Sequence, residues 1–340
     1  MRLSIVIRTL NEARHLGDLL QMIALQDVPL SEVETLVIDS GSTDATLAIA
    51  ARHGCRILHI AKADFSFGRS LNRAAEAATG AVLVFISGHC VPTGRDWLRR
   101  LCAPVLAGQV AYSYGPQIGD DDSNYSERRI FAKYFPAISQ LPQKGFFCNN
   151  ANAALARAVW QEHRFDEDLT GLEDMDLARR LVSARMAIGY VAEATIYHHH
   201  AETWAAVRRR FEREAIALRA IMPEVHLSRL DVARFVASSV AGDWISARRN
   251  GVTGPGAGLG RIARYRTNQY LGSFLGNREH SKLSQAAKER FFYPVPTEKA
   301  SNDDWLKPHR RTPPDEGQQP AGGGQELPPT ARKTPVSLGS

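Results

Sequence analysis

The sequence predicts an α/β protein: a mixed, mostly parallel sheet with flanking helices, followed by a basic helical C-terminal region. Three observations carry this. Over the first third of the chain, short apolar runs alternate with helical patterns, as in βαβ units joined by right-handed crossovers. The run Ala81–Ile86 (AVLVFI) has no polar alternation, so both of its faces are buried, as in a parallel sheet. From Thr203 the pattern turns helical and the charge turns basic, with 16 Lys and Arg against 7 Asp and Glu between Thr203 and Arg290.

The first strand is Leu3–Ile7, and a helix follows over Glu12–Leu25 with Leu16, Leu19, Leu20 and Ile23 on one face. Thr35–Ile38 is the second strand. It ends in Asp39-Ser40-Gly41-Ser42-Thr43-Asp44, a turn and N-cap cluster that opens the helix Ala45–His53. Arg56–Ile60 is a third strand, Arg69–Ala78 a helix and Ala81–Ile86 a fourth strand. Further on, Val110–Tyr114 and Cys148–Leu155 read as strands, Asp174–Arg185 as a helix and Ile188–His198 as one more strand. Trp160 and Phe165 read as core. Beyond Thr203, Trp204, Val207, Phe211, Ala215 and Leu218 recur at helical spacing, which sets Arg208, Arg209, Arg210 and Arg213 largely on the other side. From Pro294 onward the chain holds 9 of its 17 prolines and Gly322–Gly324, too little apolar surface to offset the entropy of ordering it. The expected organisation is a catalytic domain over 1–202, a basic helical extension over 203–293 and a disordered tail over 294–340.

With 340 residues, 44% hydrophobic and 23% charged, the chain suits a soluble globular enzyme and excludes a fibrous or fully disordered one. Its four cysteines lack CxxC spacing, which argues against a disulfide scaffold or a zinc ribbon and for a reducing compartment. The opening MRLSIVIRTLNE is too short for a signal-peptide core, and no apolar run is long enough to span a bilayer. The expectation is a cytoplasmic protein, at most peripheral at the membrane. The basic segment points to an anionic membrane surface, a charged acceptor or a merely solvated face. Nucleic acid is not expected, because the arginines lack the interleaved stacking aromatics of a recognised module.

In an open parallel sheet, ligands bind beyond the carboxyl ends of the strands. There the sequence places Thr9, Asn11 and Glu12 after the first strand, Asp39 after the second and Ser87-Gly88-His89 after the fourth. Asp39 taken alone also reads as a turn residue. The stretch Arg8-Thr9-Leu10-Asn11-Glu12 lacks the glycines of a dinucleotide-binding turn, which excludes that class. Gly171-Leu172-Glu173-Asp174-Met175-Asp176 offers carboxylates at a helix start, where the macrodipole is expected to keep them ionised.

Taken in order, SIVIRTLNE, LVIDSGSTDAT, FSFGRSLNRAAEAATGAVLVFISGHCVP, NNANAAL and GLEDMDLARRL resemble a family 2 glycosyltransferase with the GT-A fold. FSFGRSLN and YSYGPQ are most similar to the rhamnosyltransferase-like subgroup of bacterial polysaccharide assembly. The resemblance implies an inverting transfer, with hexosyl or deoxyhexosyl groups moving from a nucleotide-sugar donor to a glycan or lipid-linked acceptor. It implies that Thr9, Asn11, Glu12 and Asp39 bind the nucleoside and that the segment Phe67–Asn72 faces the diphosphate, with Arg69, Asn72 or Arg73 supplying donors and Ser87 beside them. Asp174 becomes the base, Glu173 positions it, and Asn150 and Asn152 line the acceptor pocket with Asn149. The family's Asp-x-Asp metal motif is replaced here by Ser87-Gly88-His89. A divalent cation, Mn²⁺ or Mg²⁺, would then rest on His89, His198 and His200, and a metal-free variant stands beside that reading. The broken motif also admits an inactive GT-A domain serving as a binding or scaffold module.

Overall fold

The structure is a computed structural model and describes residues 2–120, 123–200 and 202–278. The expected tail 294–340 and the last part of the basic segment lie outside the described residues. The chain opens with β1 (Leu3–Thr9), α1 (Leu16–Ala24), β2 (Val33–Asp39), α2 (Thr46–Arg52), β3 (Arg56–His59), α3 (Phe67–Ala77) and β4 (Val82–Ser87). Strands β3, β2, β1 and β4 run parallel to one another, as the βαβ alternation requires. Alternation along each strand sorts side chains to two faces. Val6, Leu36, Ile38, Leu83 and Phe85 join one core with Leu71 of α3, while Ile5, Ile7, Val37, Val84 and Ile86 join the other with Leu16, Leu19, Leu20 and Ile23 of α1.

The second half supplies β5 (Cys90–Pro92), α4 (Trp97–Leu106), β6 (Tyr112–Tyr114), β7 (Gln117–Ile118), α5 (Tyr125–Tyr134), β8 (Asn152–Ala156), α6 (Arg157–Glu162), α7 (Glu173–Ser183), β9 (Ile188–Tyr190) and β10 (Ile196–His198). The main sheet runs β3-β2-β1-β4-β8-β6-β9, with β8 antiparallel to both β4 and β6. A small sheet runs β5-β10-β7.

One sequence expectation needs correction here. Ile188–His198 is two strands, because a turn closed by Ala194 N–H on Val191 O (3.2 Å) moves the chain from the main sheet to the small one. That crossing has a consequence for the site: β10 pairs antiparallel with β5, so His198 lies opposite Cys90, next to His89.

Three helices complete the described chain: α8 (Trp204–Ile221), α9 (Arg229–Arg249) and α10 (Leu259–Gly276). The backbones of α8 and α10 approach closely because Gly272 and Gly276 face α8. A Cβ on either would come within 2.3 Å of Arg208 O or 2.2 Å of Glu212 O. A buried bidentate pair, Arg266 to Asp243 at 2.7 and 2.9 Å, ties α10 to α9. Among the described residues no helix is long and apolar enough to cross a membrane.

Candidate active site

A cavity of about 680 Å³ opens where the ends of β1, β4 and β10 meet the start of α7 and one side of α8. Parallel pairing brings the ends of β1 and β4 level, with Arg8 beside Ser87. Of the residues expected from sequence, Asn11, Glu12, Ser87, His89, Glu173, Asp174, His198 and His200 all line this one cavity.

On one side, His89 and His198 point their Nε2 atoms at each other, 3.0 Å apart. Both rings are fixed from behind. His89 Nδ1 donates to Glu12 Oε1 at 2.8 Å, and His198 Nδ1 donates to Gln117 Oε1. A carboxylate or amide oxygen can only accept, so each Nδ1 carries a proton, and in the neutral form of the ring Nε2 presents a lone pair. Burial, with His200 and His89 next to it, holds His198 well below the usual imidazole range and keeps it neutral. Two lone pairs facing one point, at the spacing of adjacent ligands bonded at about 2.1 Å, suit a divalent ion. Cys90 lies within 4.8 Å of these nitrogens but is fully buried in the apolar core.

His200 is placed differently. Its ring centroid lies 4.0 Å from that of His198, but its Nδ1 donates to Glu127 at 2.7 Å. Glu127, His200 and Glu202 would form a second ligand cluster had Arg210 not entered it, with bonds of 2.9 Å to Glu127 and 2.7 Å to Glu202. Burial would raise the Glu127 carboxyl, but His200 and Arg210 outweigh it and hold it at about 2. A guanidinium therefore already occupies the position a cation would take. His199 also borders the cavity, bonded to Asp120 at 2.6 Å and stacked on His15 with centroids 4.4 Å apart.

On the other side, Leu172 at φ 56° turns the chain so that Glu173 and Asp174 enter the cavity at the head of α7. A left-handed leucine is uncommon, and here it sits directly before the acidic pair. Glu173, 3% exposed, takes Arg8 Nη1 at 3.4 Å. Asp174 Oδ2 accepts from Asn150 N–H at 2.7 Å. The expectation that the macrodipole keeps Asp174 ionised is corrected: burial, and then the charge of Glu173, push its carboxyl up to about 7.

Several expected residues stand outside the cavity. Asn72 is 2% exposed and fully engaged, donating to Phe165 O and Glu167 and accepting from Trp160 Nε1 and Phe165 N. Asn152 is likewise spent, bracing Pro116 O, Ala194 O and Trp97 Nε1. Arg69 pairs with Glu167 at 2.9 Å, away from the cavity. Asn150 lies behind Asp174, accepting from Tyr112 OH. Thr9 Oγ1, Gly41 N–H, Ser42 N–H and Ser42 Oγ all donate to Asp39, which they hold ionised against its burial. That network carries Asn11, whose N–H donates to Ser42 Oγ at 2.8 Å. Sequence reasoning missed Gln117 and the placement of Arg210 and Arg213 on the cavity wall, whereas Phe67, from the segment expected at the diphosphate, lines it too. A glutamine in a two-residue strand gives no signal of this. The arginines were visible only as charge.

Residues 4–164 match glycosyl transferase family 2. Over those residues the chain is similar to that family, and its fold is GT-A. It is 28% identical over 226 residues to an O-antigen chain rhamnosyltransferase of Salmonella typhimurium, covering 63% of this chain and 70% of that one. It is 30% identical over 193 residues to an O-antigen chain rhamnosyltransferase of Salmonella anatum, covering 53% and 60%. In fold it is similar to a mannosyltransferase of Pyrobaculum calidifontis solved with GDP-Man and Mn²⁺, with a TM-score of 0.53, 18% identity, and coverage of 81% of this chain and 84% of that one.

Proposed function

We propose that this glycosyltransferase inverts the anomeric centre, with Asp174 as its base. The observation that carries the reading is a carboxyl held at about 7, on the cavity wall, within a fixed backbone bond from Asn150. A base poised near neutrality takes a hydroxyl proton efficiently. The acceptor O–H gives its proton to Asp174, its oxygen bonds to the anomeric carbon, and the bond from that carbon to the phosphate oxygen breaks. The nucleoside diphosphate leaves with the electron pair. Glu173, tied to Arg8, keeps Asp174 from sharing its proton elsewhere, and Asn150 orients it.

Asn11, Glu12 and Ser87 face the donor, while Thr9 and Asp39 act through the loop they hold rather than by contact. His89 and His198 would hold a divalent ion, which supplies charge to the donor phosphates. Two imidazoles in place of two carboxylates favour Mn²⁺ over Mg²⁺, which prefers oxygen ligands. Both O-antigen relatives support transfer of a deoxyhexose to a growing, lipid-linked polysaccharide. The same setting supports peripheral attachment at the cytoplasmic face of a membrane, through the arginine-rich outer face of α9.

The test is a panel of UDP-, dTDP- and GDP-sugars, with and without Mn²⁺. One donor is expected to be hydrolysed or transferred, and Asp174→Asn to lower kcat by roughly 10³-fold with donor affinity kept. Wild-type turnover in Asp174→Asn would refute the base assignment. His89→Ala is expected to abolish Mn²⁺ binding in calorimetry, and undiminished binding would remove the ion from this site.

A further inference from the structure

Arg213 of α8 and Arg8 of β1 both lie over the ring of Phe67, with guanidinium carbons 4.6 and 4.7 Å from its centroid. All three residues line the cavity. Phe67 opens α3, and the Ser66 cap fixes its backbone by accepting from Arg69 N–H at 3.1 Å. The aromatic ring is thus a platform held by the start of a helix, carrying two cations from two other elements.

The two guanidinium groups differ in how they are held. Arg8 has one carboxylate partner, Glu173, at 3.4 Å. Among the described residues, no carboxylate lies within 4.0 Å of the Arg213 guanidinium. Arg210, one turn earlier on the same helix, is by contrast held by Glu127 and Glu202. Glu214, the next residue along, also lines the cavity and makes no ion pair, and burial pushes its carboxyl up. The Arg213 fork thus faces the cavity with no carboxylate bonded to it, beside an Arg8 held only at 3.4 Å. Simple packing of α8 on α3 would not need a charged fork facing open cavity. A planar fork with free donors matches phosphate oxygens, and stacking on a ring restricts its motion in advance of binding.

The geometry points to a phosphate subsite formed by Arg213 and Arg8 on the Phe67 platform, on the Glu173 side of the cavity and separate from His89 and His198. Its ligand is a phosphate or diphosphate group of a substrate. That group belongs either to the donor or to a phosphate-linked acceptor, whose hydroxyl Asp174 would then activate. The inference rests on the transferase reading for the identity of its ligand, not for the existence of the anion site.

The experiment measures binding to the full chain by titration calorimetry in EDTA, so that no metal bridges the ligand to His89 or His198. The ligands are inorganic pyrophosphate, the nucleoside diphosphates UDP, dTDP and GDP, and farnesyl diphosphate. Arg213→Ala is expected to weaken pyrophosphate by roughly tenfold or more, with Arg213→Lys intermediate because it keeps charge and loses the fork. If a nucleoside diphosphate weakens in parallel, the ligand is the donor's. If farnesyl diphosphate weakens while the nucleoside diphosphates do not, it is the acceptor's. Unchanged pyrophosphate affinity in folded Arg213→Ala, or in Arg213→Lys if the alanine variant does not fold, overturns the subsite. Loss of pyrophosphate binding together with full turnover in Asp174→Asn would leave the subsite standing and refute only the base.

Discussion

Asp174 shows how a single residue changes meaning between sequence and fold. A carboxylate in the first turn of a helix gains from the macrodipole, and that much is legible in Gly171–Asp176. The opposing effects are burial, which is supplied by segments far away in sequence, and then the like charge of its neighbour Glu173. Arg8 and Asn150 only partly offset them. The sign of the linkage follows. The folded carboxyl sits at about 7, above its unfolded value, so the neutral form is favoured on folding. Stability is retained at pH below the unfolded value and declines as pH rises through 7. Asp174→Asn is therefore expected to melt several degrees higher than wild type above pH 7 and to converge with it near pH 4, as scanning calorimetry across that range would show. A lower melting point for the variant at pH 8 would contradict the burial argument. Asn72 and Asn152 carry the opposite lesson. Their amides look like donor or acceptor contacts in sequence, but the partners that consume them, Glu167 and Trp160 for one and Trp97 and Ala194 for the other, come from separate segments.

Helix periodicity gave the buried face of α1 residue for residue, because Leu16, Leu19, Leu20 and Ile23 meet a flat sheet that tolerates no polar group. On α8 it succeeded only in part. Val207, Ala215 and Leu218 are buried, and Arg208 and Arg209 are exposed, but Arg210 is turned inward and Arg213 reaches the cavity. The reason is that α8 has two packed sides: one meets α10, the other walls a polar cavity that needs cations. A single apolar stripe cannot report both. The α10 side depends on glycine, which apolar periodicity also ignores. Gly272 and Gly276, four apart, let the two helix backbones touch, and a Cβ at Gly276 would lie 2.2 Å from Glu212 O and 2.9 Å from Ala215 Cβ. These are backbone and core atoms, with no flexible side chain to yield. Gly276→Ala is expected to cost about 1–3 kcal/mol in urea unfolding, while Gly242→Ala, whose Cβ meets nothing within 4 Å, is expected to be neutral or stabilising. An equal effect of the two would mean that α8 and α10 are not closely docked.

For the whole molecule, the net charge of +6 resolves into surfaces with different uses. The basic excess after Thr203 was legible from composition, but its placement was not, since Arg210 and Arg266 are consumed by buried carboxylates. What remains outside is concentrated on α9. Its two carboxylates are both withdrawn: Asp231 caps the helix with Ser228, and Asp243 binds Arg266. Its exposed positions hold Arg229, Arg234, Arg248 and Arg249 together with Leu230 (77% exposed), Trp244 (36%) and Ile245 (45%). Arg248 stacks on Trp244 at 4.8 Å. A helix face that is cationic, free of acids and studded with an aromatic and two aliphatic groups has the character of one lying on an anionic bilayer. Attraction of about 1 kcal/mol per arginine makes the effect measurable. Co-sedimentation with vesicles containing phosphatidylserine is expected, with little on pure phosphatidylcholine and release at high salt. Replacing Arg234, Arg248 and Arg249 by Glu is expected to weaken binding by roughly 100-fold. Replacing Arg208 and Arg209 instead, on the neighbouring helix, is expected to have the smaller effect, because no apolar group beside them can enter the interface. Equal sedimentation with neutral and anionic vesicles, or equal losses from the two sets of substitutions, would show that α9 does not direct the protein to a membrane.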